Sequence, residues 1–255
     1  MLNHGFVKLV DSMPRENLDA AIVEAARVSY KKPGKSTDAG LIRHLMRHWH
    51  TTPFEMVDFK FYIKMPIFVA RQHFRHRTAS INEVSARYSE VPDEFFVPDV
   101  YRKQSNINKQ CSDGTIEIPE EVALAPSRHS RTAFKIYDQL LEAGVSRELA
   151  RCHLPQSTFT EFYWKINLHN LLHFLNLRMA SDAQPEIKVY ADAIFEIVKP
   201  MIPITAQAFL DFRVNAITLS GPEIEAIREQ KSLKNPGENR ELLEKLTKLG
   251  LEVPV

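Results

Sequence analysis

From Asp58 to Met65 the chain alternates, with Phe59, Phe61, Ile63 and Met65 on one side and Lys60, Tyr62 and Lys64 on the other. Successive side chains of a strand point to opposite faces, so this stretch reads as a strand with one buried face. Pro66 follows at once. Its fixed φ and missing N–H suit the first turn of a helix, here expected through Ala70 to about Phe74. Thr158 to Ile166 is aromatic and alternating enough to be a second strand. Elsewhere the apolar spacing is helical: Leu18 to Val28, Leu41 to His48, Ser127 to Ala143, Asn167 to Met179, Gln184 to Val198, and a segment after Pro203 to about Phe212. Ser146 is placed to cap a short helix before Pro155, and Lys31 to Gly40, rich in Lys, Gly and Ser, reads as a loop. Two strand signals among many helical ones, without regular β-α-β alternation, predict an α+β fold. A single domain with a small, mainly antiparallel sheet flanked by long helices is expected.

Pro92, Pro98, Gly114, Pro119 and Pro126 break the text between them, so about 91–126 is expected to be an elaborated loop. From Ser220 the chain becomes charged and is punctuated by Pro222, Pro236, Gly237 and Gly250. The expected division is a main domain over 1–219 and a charged helical extension over 220–255. Lys plus Arg (33) nearly balance Asp plus Glu (32), leaving a net charge of +1. Such a balance gives no general attraction to nucleic acid or to an anionic membrane. Any anion must be held locally. Cys111 and Cys152 are far apart and lack a C-x-x-C partner, which argues against a disulfide framework and a cysteine zinc site. No apolar segment approaches the roughly 20 residues a helix needs to cross a bilayer, and no secretory leader pattern opens the chain. A cytoplasmic protein is expected.

The densest chemistry lies between Arg71 and Tyr88. Arg71, Arg75, Arg77 and Arg87 share this block with one acid, Glu83, so most of them lack a partner nearby in sequence. Surface ion pairs are common and weak, and a solvated face is the ordinary reading of any one of these arginines. The cluster points instead to an anion, because the guanidinium fork matches phosphate oxygens two at a time. On the expected helix Arg71 and Arg75 are four apart and share a face, with Gln72 beside them. The eight glycines sharpen the case: none is placed to make G-x-G-x-x-G or G-x-x-x-x-G-K-[ST]. Neither a Rossmann turn nor a P-loop is available, and side-chain arginines must do much of the holding. Ser80, Asn82, Glu83 and Ser85 add donors and acceptors suited to a base or sugar edge, or, on the plain reading, to a capped turn.

The run Arg75-His76-Arg77 followed after seven residues by Ser85 resembles the R-H-R-x7-S signature of flavin-dependent thymidylate synthases. The likeness extends to His50-Thr51-Thr52-Pro53-Phe54-Glu55, to Pro66 through Gln72, to Glu148-Leu149-Ala150-Arg151 and Leu154-Pro155, and to Asn167 through Arg178 with Ala183-Gln184. The resemblance implies an enzyme of de novo dTMP synthesis. Such an enzyme methylates dUMP with a methylene from methylenetetrahydrofolate and reducing equivalents from NADPH through bound FAD. It implies a homotetramer and no enzyme nucleophile on uracil. By the motif match, Thr52, Arg75, His76, Arg77, Glu83, Asn167, His169 and His173 are expected to contact FAD. Gln72, Arg75, Glu83, Ser85, Arg87, Arg151 and Arg178 are expected to hold dUMP, with His50 a weaker candidate.

Methylation at C5 of uracil is helped by a cation that stabilises negative charge developing on the ring, and Arg178 is assigned that catalytic role. His169 and His173 are four apart and share a helix face. That spacing also suits zinc, but Asn170 stands where a zinc hydrolase carries its glutamate, and no metal is expected. A nucleotide- or RNA-binding module without turnover is the other alternative. It is disfavoured by the net charge and by Phe68, Phe74 and Tyr88 falling where packing would use them. The chain departs from the family's common R-x-D-x-H-A-Q-x-E-I-R, reading Arg178-Met179-Ala180-Ser181-Asp182-Ala183-Gln184-Pro185-Glu186-Ile187-Lys188. Asp182 is expected to cap the helix that follows, with Pro185 in its first turn.

Overall fold

The computed structural model describes residues 1–29, 37–106 and 108–251; of the loop expected over Lys31 to Gly40, Lys31 to Ser36 lie outside the described residues. The chain runs β1 (Phe6–Met13), α1 (Leu18–Arg27), α2 (Asp38–Arg47), α3 (Thr52–Glu55), β2 (Asp58–Pro66), α4 (Ile67–His73) and β3 (Ser80–Glu83). A hairpin of β4 (Tyr101–Gln104) and β5 (Ser112–Ile116) precedes α5 (Glu120–Glu142) and α6 (Arg147–Ala150). Then come β6 (Phe159–Asn167), α7 (Leu168–Arg178), α8 (Pro185–Val198), α9 (Pro203–Phe209), α10 (Gly221–Arg228) and α11 (Pro236–Leu249). Met1–Phe209 and Leu210–Val255 form two compact units.

In the first unit the sheet order is β1-β2-β6-β3, with every pairing antiparallel. The two strands read from alternation are its centre. Their register sets Phe59 opposite Ile166, Phe61 opposite Trp164 and Ile63 opposite Phe162, and all six side chains are buried. α4 and α7 lie on β6, and α8 packs on both helices and on β1. Trp164 and Phe174 meet edge to face at 5.0 Å, joining the sheet to α7. Burial of each such side chain stabilises the fold by roughly 1.5–3 kcal/mol. This is the α+β architecture expected, with the small antiparallel sheet against helices.

Four strands were not expected. β1 is half-buried, and a register shift between Leu9 and Asp11 breaks its period. β3 is exposed throughout and is a strand only because β6 offers it an edge. β4 and β5 lie inside the segment expected as a loop. That segment also contains the first turns of α5, which starts at Glu120 rather than Ser127 and carries Pro126 inside it. Proline removes one i→i−4 bond there without ending the helix. Asp182 does not cap α8: Gln184 is the N-cap, and its side chain bonds elsewhere. Among the described residues no helix is long and apolar enough to cross a membrane.

In the second unit α10 starts with a capping box of Ser220 and Glu223, and Glu223 also pairs with Lys245 of α11 at 2.7 Å. Ala226, Leu242 and Leu246 are buried, with Ile227 and Leu233 packed against them.

Candidate active site

Both central strands run directly into helices, and these two junctions carry the candidate site. Pro66 ends β2 and needs no partner for its nitrogen, while the next two amides, of Ile67 and Phe68, donate to Thr158 and Gln156 oxygens at 2.9 and 3.0 Å. Asn167 ends β6 and caps α7, its Oδ1 accepting from Asn170 N at 2.9 Å. α4 ends at His73, so Arg75 stands in the turn beyond it: the shared helical face expected for Arg71 and Arg75 does not form. That turn is closed by Arg75 N to Gln72 O at 3.3 Å and His76 N to His73 O at 3.1 Å.

The two helices meet through these residues. His76 is 8 % exposed and its ring lies 5.3 Å from that of His173 and 5.6 Å from Phe174. Burial, and then the neighbouring His173, holds its pKa below the ordinary histidine value, while the backbone of Asn170 works in the opposite direction. Thr78 Oγ1 is 3.1 Å from its Nε2. Arg178, in the last turn of α7, donates from Nη2 to Gln72 O at 3.4 Å. Burial and the nearby Arg75 lower its pKa from the ordinary arginine value, and a guanidinium remains charged at neutral pH. Arg71, Arg75 and Arg77 are exposed and form no ion pair with any described residue.

A second group gathers where β3 meets β6. Glu83 Oε1 accepts from Thr160 Oγ1 at 2.6 Å, and Val84 N donates to Glu161 O at 2.9 Å. Glu83 and Arg151 share a cavity of about 210 Å³ with Ile67, Phe159 and Thr160. Ser85 opens the turn beside it: its Oγ accepts from Arg87 N at 3.3 Å and its carbonyl from Tyr88 N at 3.0 Å. Arg87 itself pairs with Glu148 at 3.4 Å on the surface. Thr52 and His50 line a different cavity, of about 810 Å³, with His44, Trp49 and Met56, and no residue of the Arg71–Tyr88 block reaches it. His169 lies one turn before His173 on α7 and is half-buried.

Three further residues of this region were not singled out from the sequence. His73 is fully buried among Trp164, Phe174 and Phe162, with ring separations of 4.3, 4.7 and 5.4 Å, and neither ring nitrogen has a partner. Burial first, then His76 and Arg178, push its pKa down to about 3. Thr160 was hidden as one more β6 residue, and its bond to Glu83 follows from the β3–β6 register. Glu186, buried on the first turn of α8, accepts hydrogen bonds from Gln184 and Arg102. Glu186 falls on the glutamate of the family pattern, but its pairing with Arg102 is not readable from the local sequence.

The strand–helix junctions, the arginine block and the Glu83 cavity all lie between β1 and α9, and residues 8–204 match the family model described as thymidylate synthase complementing protein. The chain belongs to the flavin-dependent thymidylate synthase family. It is 53% identical to the flavin-dependent thymidylate synthase of Thermus thermophilus over 230 residues, covering 89% of this chain and 84% of that protein. The enzyme of the same name from Dictyostelium discoideum is 48% identical over 253 residues, covering 95% and 83%. That of Rickettsia prowazekii is 44% identical over 273 residues, covering 98% and 92%. Among solved structures, the UMP/dUMP methylase PolB of Streptomyces cacaoi bound with 5-Br dUMP aligns with a TM-score of 0.74 and 36% identity, over 82% of this chain and 96% of that one.

Proposed function

We propose that this flavin-dependent thymidylate synthase converts dUMP to dTMP in the cytoplasm as a homotetramer, with FAD as its flavin, NADPH as reductant and methylenetetrahydrofolate as methylene donor. The observation that carries the reading is the group at the α4–α7 meeting point: Arg75 and Arg77, exposed and without ion pairs among the described residues, beside His76, His173 and Arg178. FAD carries a pyrophosphate, and arginine forks free of carboxylates are the donor set that such a group needs. The imidazole pair of His76 and His173 beside them adds ring nitrogens that can hydrogen-bond a ligand.

In this reading Thr52, Arg75, His76, Arg77, Glu83, Asn167, His169 and His173 hold FAD, and Gln72, Arg75, Glu83, Ser85, Arg87, Arg151 and Arg178 hold dUMP. When bound, FAD supplies the hydride chemistry. The chain's own part is binding and charge. Arg151 and Arg87 take the nucleotide phosphate, Arg87 exchanging Glu148 for it. Arg178 stays protonated and stabilises negative charge that develops on the uracil ring. No side chain need bond to uracil. Ser85 Oγ is met by a backbone amide, with no imidazole or carboxylate on it among the described residues, and Cys152 Sγ turns to Glu148 O at 3.5 Å.

The test is spectroscopic and then catalytic. The purified protein is expected to be yellow, to release FAD on denaturation, and to form dTMP from dUMP only when NADPH and methylenetetrahydrofolate are both present. A colourless protein that develops no bound-flavin spectrum on added FAD overturns the proposal.

A further inference from the structure

A hydrogen-bonded chain leaves the site through Gln72. Gln72 Nε2 donates to Gln184 Oε1, Gln184 Nε2 donates to Glu186 Oε2 at 2.8 Å, and Arg102 Nη2 donates to Glu186 Oε1 at 2.6 Å. Arg102 is in turn fixed on the β4–β5 hairpin by its Nε bond to Ser112 Oγ at 2.9 Å. Burial works to raise the Glu186 pKa, but the Arg102 and Gln184 hydrogen bonds outweigh it and hold the carboxyl below its ordinary value. Glu186 is thus an ionised, buried carboxylate that can only accept, beside a guanidinium that can only donate.

That fixes the direction of the whole chain. A glutamine amide can be turned either way, and its orientation is normally inferred from its neighbours. Here Gln184 must give its NH2 to Glu186, which leaves its carbonyl for Gln72. Gln72 must give its NH2 to Gln184, which leaves Gln72 Oε1 as the open atom. Arg178 donates to the backbone carbonyl of the same residue. Two residues in direct contact therefore offer a donor, on Arg178, and an acceptor, on the Gln72 side chain. Uracil presents the complement, a carbonyl oxygen next to N3–H. Cytosine presents a bare N3, an acceptor, next to an amino donor at C4.

We propose that Glu186 is a positioning residue that sets the donor–acceptor polarity of Gln72 through Gln184, and so makes the site select a uracil over a cytosine nucleotide. The inference rests on the reading of dUMP as substrate. Glu186 touches no ligand. It acts because one buried charge dictates the sense of two successive amides.

The decisive variant is Glu186→Gln, which keeps shape and removes the charge. A glutamine that keeps its carbonyl on Arg102 turns its NH2 toward Gln184, so both amides reverse and Gln72 shows a donor. The flavinated variant is expected to keep the parent's FAD content, to raise the KM for dUMP about tenfold with a smaller change in kcat, and to lose at least about tenfold of the parent's binding preference for dUMP over dCMP. A flavinated Glu186→Gln enzyme with the parent's KM and preference overturns the proposal. Should that variant fold poorly, the double variant Glu186→Leu/Arg102→Met removes the pair without stranding a buried charge. Its amides are free to turn, and an unchanged preference there overturns the proposal equally. Neutron diffraction from the deuterated parent gives a reading independent of substrate. Deuterons on the Gln72 atom facing Gln184 support the proposal, and deuterons on the other atom overturn it. A parent that shows this polarity but binds no dUMP instead overturns the reading of the substrate.

Discussion

Arg178 and Gln72 are joined by a hydrogen bond of 3.4 Å between a guanidinium at the end of α7 and a backbone carbonyl near the end of α4. The two helices follow neighbouring strands, so the bond ties the last turn of one junction to the last turn of the other. It holds a half-buried cation at a fixed place instead of leaving it to a mobile surface side chain. A preorganised charge of this kind needs no rearrangement as charge develops on a substrate. Arg178→Ala is expected to lower dTMP formation by at least about 100-fold while flavin stays bound. Arg178→Lys, which keeps the charge but loses the fork, should fall between the two. Steady-state turnover with flavin content measured on the same sample checks this, and unchanged turnover removes Arg178 from the mechanism.

Asn167 has a second role in the same junction. Its side chain caps α7, accepting from Asn170 N at 2.9 Å. Loss of a cap costs about 1 kcal/mol, or roughly 2–4 °C in a chain of this size. Asn167→Ala should show that shift in thermal unfolding of the apoprotein, and Asn167→Asp should recover most of it. FAD affinity measured in both variants separates the two functions. If Asn167 contacts FAD as proposed, the aspartate restores stability without restoring affinity, because a carboxylate has no amide donor.

The centre of this fold was legible in the sequence because two alternating stretches, 58–65 and 158–166, pair with each other, and each leads into a helix. Arg75, His76, Arg77 and Arg178 could be singled out by motif. What could not be read depends on distant pairing. Ser80 to Glu83 is a polar run with no strand pattern, and becomes β3 only against β6. Glu186 matches the glutamate of the family pattern, but its ion pair depends on Arg102 of a hairpin far away in sequence. Asp182 has the right chemistry for a helix cap. α8 begins after Gln184 instead, and the backbone of Asp182 is engaged by Cys111 of the hairpin, Sγ to O at 3.4 Å. His73 sits in a run of arginines and histidines that reads as solvated. It is buried because α4 lies on β6, which turns this position onto Trp164 and Phe162.

Glu223 gives a test confined to the second unit. It closes the capping box of α10 and pairs with Lys245 of α11, so one side chain serves two helices. Glu223→Ala is expected to cost about 1 kcal/mol through the cap alone. Hydrogen exchange should show faster opening of amides in Gly221–Arg228 and Pro236–Leu249, with protection in β2 and β6 unchanged. Exchange rates equal to the parent's in both helices would mean that neither the capping box nor the ion pair stabilises this unit.

His73 makes the stability of the fold depend on pH. Its pKa is pushed down to about 3 from an ordinary 6.5, chiefly by burial and then by His76 and Arg178. Above 6.5 the imidazole is neutral whether the chain is folded or not, and the group contributes no pH dependence. Between 6.5 and 3 the unfolded chain binds a proton that the folded chain refuses, so stability falls as the pH falls, by about 1.4 kcal/mol per unit at most. At pH 5 the loss through this one residue is about 2 kcal/mol. His73→Leu removes the titrating group at similar volume, and it also removes two buried nitrogens that have no partner. The variant should therefore lose less stability than the parent between pH 7 and pH 5, by up to one proton's worth of slope in denaturant titrations. His76, also held below its ordinary value by burial, keeps the remaining slope above zero. Parallel stability–pH curves for variant and parent would show that His73 does not titrate differently on unfolding.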